Sequence, residues 1–209
     1  MVKNLYCKKL GMTRYFLEEG KSFPVTILEV GPCVVIQKKT KARDGYEAIQ
    51  VGFELQKEQR VNKPLRGHFK NAGEGLYKNL KEIKVENADK FELGQELKAD
   101  VFTIGDTVRV TGRSKGRGFS GVIKRWGFSG GKETHGCRSH RVPGSIGASA
   151  TPGRVYKGRK LPGHMGNRQV TIQNLKVLDV RPEMNIIALK GAVPGSRHSV
   201  IEISKIEGN

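Results

Sequence analysis

Three short constellations in the sequence have the residue types of a chemical site. His135, Cys137 and His140 stand as His-x-Cys-x-x-His, a spacing at which imidazoles and a thiolate share zinc, or at which a histidine activates a cysteine nucleophile. Gly116-x-Gly118-x-x-Gly121 has the outline of a dinucleotide loop, and Gly130-Gly131-Lys132 that of the end of a phosphate loop. Each is short of a partner. Zinc wants a fourth ligand from a second cluster, and Cys7, Cys33 and His164 offer no pair at ligand spacing; no acid is at hand to orient a histidine beside Cys137. Gly127 interrupts any helix opening after Gly121, and no carboxylate follows about twenty positions on to hold a ribose. Trp126 stands where a phosphate loop needs its first glycine, and Glu133 where it needs a magnesium-binding hydroxyl. The expectation is therefore a protein that is not an enzyme and has neither metal nor cofactor.

The same residues make better sense as parts of a cationic ribbon. Between Asp106 and Asp179 there are 15 Lys and Arg against one carboxylate, Glu133, so this stretch holds +14 of the chain's net +18. Mutual repulsion and a shortage of large apolar side chains oppose its compaction, and a polyanion removes the first obstacle. A phosphate backbone does so with release of condensed counterions. A disordered solvated tail is the competing interpretation, but the run is internal and of mixed composition, with Gly, Pro, His, Trp and Tyr at irregular spacings. The candidate phosphate-binding residues are Arg113, Lys115, Arg117, Lys124, Arg125, Arg138, Arg141, Arg154, Lys157, Arg159, Lys160 and Arg168, with His135, His140 and His164 as partners for phosphates or bases. Trp126, Phe128 and Tyr156 are candidates for stacking on unpaired bases; Trp126 better suits an anchor at the ribbon's root. Gly144, Gly147, Gly153, Gly158, Gly163 and Gly166 are expected to set its path.

Elements able to position such a ribbon lie on both sides of it. Ser22 to Val30 and Cys33 to Lys39 are rich in β-branched residues and separated by Gly31-Pro32, and Tyr46 to Glu54 resumes after Asp44-Gly45, which predicts a hairpin. Val101 to Ile104 and Thr107 to Thr111, around Gly105-Asp106, predict a second. After the ribbon, alternation returns at Val170 to Val177, Ile186 to Leu189 and Val200 to Ile206. From Gln56 to Lys98 the pattern weakens, with Lys63-Pro64 and several glycines breaking any long helix and a strand or short helix near Leu80 to Val85. Its segment Lys63 to Lys70 interleaves cations with an aromatic ring, as a nucleic-acid contact or a solvated loop would.

These patterns predict a mainly β fold: a closed or nearly closed β-barrel body from residues 1–55, 99–121 and 169–209, a small inserted α/β lobe from 56–98, and a long basic extended arm from 122–168. At no more than ~3.5 Å per residue, each leg of the arm reaches several tens of ångströms. Set apart from the arm, about 150 residues suffice to bury roughly 70% of their unfolded surface. Three widely spaced cysteines form no disulfide framework, and no apolar run is long enough for a signal peptide or a membrane span. The expected compartment is the cytoplasm.

Phe102 to Arg125, reading FTIGDTVRVTGRSKGRGFSGVIKR, resembles the signature of the bacterial-type large-subunit ribosomal protein L3 family. The resemblance continues at Leu10 to Thr13, Asp44 to Phe53, His135 to Gly147, Thr151 to Lys160 and Lys190 to Gly195. It implies a barrel similar to that of translation factors with a smaller lobe, and a structural role in the cytoplasmic large ribosomal subunit. Binding to ribosomal RNA near its 3′ domain early in assembly is also implied, with an arm directed toward the peptidyl transferase centre. Residues 144–152 would form the arm tip, with Ser149 among those nearest the reaction centre. Family neighbours are commonly proteins L14 and L19. Where some relatives have a methylated glutamine, this chain has Ala150, which cannot accept the modification.

Overall fold

A computed structural model describes residues 4–17, 20–73 and 75–206. The strands are β1 (Asn4–Phe16), β2 (Ser22–Val30), β3 (Cys33–Lys39), β4 (Ala48–Leu55), β5 (Tyr77–Lys84), β6 (Glu96–Leu97), β7 (Thr107–Arg113), β8 (Phe119–Ser120), β9 (Gly163–His164), β10 (Gln169–Arg181), β11 (Ile186–Lys190) and β12 (Val200–Lys205). The α-helices are short: α1 (Lys41–Asp44), α2 (Lys63–Phe69) and α3 (Val122–Trp126). The chain divides into two compact units, residues 1–113 with 169–209, and residues 114–168.

In the larger unit, β1, β12, β7, β10, β11 and β2 close into a six-stranded barrel, every pair antiparallel. Closure leaves no unpaired edge for another chain to add to. Period-two alternation points Val108 and Val110 of β7, Ile187 and Leu189 of β11, and Ile201 and Ile203 of β12 inward, all fully buried. The first strand is absent from the expectations because its pattern is uneven: Leu5, Tyr6 and Cys7 are consecutive buried residues, and a bulge near Leu10 shifts the register against β2.

Residues 33–55, expected in the barrel, form part of a separate four-stranded sheet of order β5-β4-β3-β6. The reason is two-sided burial. Cys33 and Val35 pack into the barrel's core cluster together with Ile49, Val51 and Ile83, while Val34 and Ile36 face a second cluster with Val61 and Phe69. A barrel wall has only one apolar face. The expected pairing of residues 33–39 with 46–54 is present, although its connection is the helical turn α1, ended by Gly45 in the left-handed conformation. No long helix forms in the lobe, and Lys63-Pro64 opens the seven-residue α2, where proline in the first turn loses no hydrogen bond. Residues 101–104 are not a strand. The Asp106 carboxylate accepts from the Thr103 amide at 2.9 Å and holds them in a turn that leaves Ile104 exposed.

Candidate nucleic-acid interface

Residues 114–168 form one insertion between β7 and β10, neighbouring barrel strands paired at Arg113 and Gln169. The insertion starts as an antiparallel ribbon. Ser114 N–H donates to the Arg168 carbonyl, Arg117 N–H to Met165 and Met165 N–H to Gly118, each at 2.9 Å, and β8 pairs with β9 through Phe119 with His164 and Ser120 with Gly163. The legs pass so closely that a side chain at Gly166, φ +73°, would strike the Lys115 carbonyl. This ribbon joins residues 114–120, assigned from the sequence to the barrel, with residues 163–168, assigned to the arm.

Next comes α3, a single helical turn closed by Gly127 at φ 74°, whose N–H donates to the Ile123 carbonyl at 2.9 Å. On it, Arg125 and Trp126 both point to one atom. The Arg125 guanidinium donates to the Leu161 carbonyl at 2.8 Å and the Trp126 indole N–H to the same oxygen at 2.9 Å. Arg125 also lies 4.9 Å from the indole ring centre, with the Lys160 ammonium 6.0 Å away. Trp126 thus ties the two legs together at the root of residues 127–160. Leu161 is absent from the sequence candidates because its contribution is a backbone carbonyl, which its side chain does not announce.

Between Gly127 and Pro162 the backbone forms turns, with no helix or strand. Gly131 N–H donates to the His140 carbonyl at 3.0 Å, and His140 Nδ1 contacts the Lys132 carbonyl at 3.0 Å, which closes a small loop around His135, Cys137 and Arg138. Arg141 follows it on the surface. Among the described residues, no group of three His, Cys, Asp or Glu is arranged to hold a metal. Ser149 lies exposed, and Arg159 donates to the carbonyl of Ser145, four residues before Ser149. Gly144, Gly153, Gly158, Gly163 and Gly166 have positive φ, while Gly147 does not.

Part of the body's charge is paired within its own fold. Lys8 with Glu54 (3.1 Å), Lys39 with Glu82 (2.8 Å) and Lys205 with Asp106 (2.8 Å) are paired in the body. Burial alone would raise the Asp106 pKa, but Lys205 and the Thr103 amide hold it below the ordinary range. Among the described residues, no Lys or Arg from Lys115 to Arg168 pairs with a carboxylate. In this unit only Ser120 and Val122 are buried. Lys115, Arg117, Lys124, Arg154, Lys157 and Arg168 are exposed, as are His164 and Tyr156, and Arg113 is exposed at the end of β7. Phe119 was not among the candidates, yet at 79% it is the most exposed large apolar side chain described. Its signal was alternation against the buried Ser120.

A family model described as "Ribosomal protein L3" matches residues 71–185. The "Large ribosomal subunit protein uL3" of Carboxydothermus hydrogenoformans is 55% identical over 205 residues, covering 98% of each chain. Its namesake in Syntrophotalea carbinolica is 53% identical over 206 residues, again 98% of each, and that of Geobacter sulfurreducens 51% identical over 201 residues, 96% of each. With a family model over more than half its length and relatives matched nearly end to end, this chain belongs to the ribosomal protein L3 family.

Proposed function

We propose that this chain, a structural constituent of the large ribosomal subunit and not an enzyme, uses residues 114–168 to hold ribosomal RNA by charge neutralisation and shape. The observation that carries this reading is the set of cations from Lys115 to Arg168 without carboxylate partners, in a unit with almost no buried side chains. Cations left unpaired by their own fold are free to displace counterions from phosphates. Phosphate contacts fix register without reading sequence. Specificity then falls to RNA shape and to the exposed rings of Phe119 and Tyr156, with Phe128 beside α3. In this reading the RNA lies near the 3′ domain and is bound early in assembly. Residues 144–152 extend as an arm toward the peptidyl transferase centre, and L14 and L19 are neighbours; the family resemblance supports each of these.

Replacing Arg117 and Lys124 by Glu tests the reading. Binding of the full chain to large-subunit ribosomal RNA should weaken, and its log-log salt slope should flatten by about 0.7 to 0.9 for each phosphate no longer neutralised. An unchanged slope would remove both residues from the interface.

A further inference from the structure

The insertion does not account for all of the unbalanced charge. Outside residues 107–178 the chain has 23 Lys and Arg against 19 Asp and Glu, a surplus of four. One stretch of the lobe holds a surplus of that size. Between Gln56 and Gly73 there are five cations and one carboxylate, and everything else balances at 18 against 18.

The one carboxylate is already engaged. Arg66 donates to the Glu58 carboxylate at 2.8 Å, to the Glu58 carbonyl at 2.8 Å and to the Val61 carbonyl at 3.1 Å, so Arg66 staples the turn at Glu58–Arg60 to α2. Lys57, Arg60, Lys63 and Lys70 remain exposed, and among the described residues none of the four pairs with a carboxylate. Lysines elsewhere on this unit divide: Lys8, Lys39, Lys78, Lys98 and Lys205 have acidic partners, while exposed ones such as Lys81 and Lys84 have none among the described residues.

Helical geometry gives the patch a direction. Lys63, Gly67 and Lys70 follow i, i+4, i+7 spacing and share one side, with the two lysine Cα atoms about 10 Å apart along the axis. Gly67, between them, has open space where a side chain would stand, so a backbone can approach closely. On the other side Phe69 is fully buried against Val34, Ile36 and Val61, which fixes how α2 faces solvent.

We propose that the lobe makes a second contact with an RNA phosphate backbone, independent of residues 114–168, through Lys63 and Lys70 with support from Lys57 and Arg60. This rests on the reading of the chain as a ribosomal RNA binder. The test measures amine acylation of Lys63 and Lys70 in the free chain, in purified large subunits, and in subunits digested with ribonuclease. Reactivity should fall in the subunit and return after digestion. Lysines as reactive in the subunit as in the free chain, or protection that survives ribonuclease and so comes from an acidic protein neighbour, would overturn the proposal.

In parallel, full-length Lys63→Gln with Lys70→Gln should flatten the salt slope of RNA binding by about 0.7 to 0.9 per phosphate, additively with the Arg117 and Lys124 changes. If only the Arg117 and Lys124 variant alters the slope, the lobe contact alone falls. If neither does, the reading of the whole interface falls with it.

Discussion

Two thiols and a phenol are buried where the barrel meets the second sheet. Cys7 and Cys33 have no solvent exposure and donate to the Ile201 and Tyr6 carbonyls at 3.5 Å. Burial pushes the Cys33 thiol from 9.0 up to about 11 and the Tyr6 phenol from 10.0 up to about 12, and lifts Cys7 well above its ordinary value. These groups bind protons more tightly in the folded chain than in the unfolded one. Their contribution is therefore complete below about pH 9 and lost as pH rises toward 11 and beyond. At about 1.4 kcal/mol per pKa unit, Cys33 alone is linked to roughly 3 kcal/mol. Denaturant unfolding followed from pH 8 to 11 should show stability falling across that window, with a shallower fall in Cys33→Ala. A flat profile would mean that these groups have water within reach. At this scale, residue type was legible where it expressed charge, as in Lys115 or Arg168. It was silent where a backbone atom or a burial environment decided the outcome, as at Leu161 and Cys33.

Among the elements, the ribbon 114–120 with 163–168 bears most of the positioning, because it sets where both legs of the basic insertion begin. Its geometry depends on Gly166, which combines a left-handed backbone with contact against the Lys115 carbonyl. Gly166→Ala should open this pairing at a cost of about 1 kcal/mol for the backbone alone, and more for the collision. Amide exchange should then quicken at Arg117 and Met165, which donate across the ribbon, while the β7 and β12 amides stay unchanged. Unchanged exchange at Arg117 and Met165 would show that the ribbon does not depend on this close approach. The barrel strands β2, β10 and β12 were legible because apolar residues recur along one face, while β11 is buried at three successive residues, Ile187 to Leu189. β3 and β4 were assigned to the wrong sheet because a strand buried on both faces does not reveal its neighbours. The ribbon itself was hidden, since its pairing joins residues about 50 positions apart through glycines and cations that have no period.

Across the whole molecule, charge follows architecture. Ion pairs such as Lys8 with Glu54, Lys39 with Glu82 and Lys205 with Asp106 lie in the larger unit, while among the described residues no cation of residues 115–168 pairs with a carboxylate. That segregation could be read directly from residue order, because a run with one acid in more than seventy positions needs no fold to be recognised. The path of residues 127–160 could not be read. A segment without apolar periodicity takes its shape from what it binds. Amide exchange across residues 128–160 tests this most directly, measured in the free chain, in purified large subunits and in subunits treated with ribonuclease. Exchange should be rapid in the free chain, slow within the subunit, and rapid again once the RNA is digested. Slow exchange already in the free chain would contradict an RNA-shaped insertion, because the segment would then have a shape of its own that owes nothing to RNA.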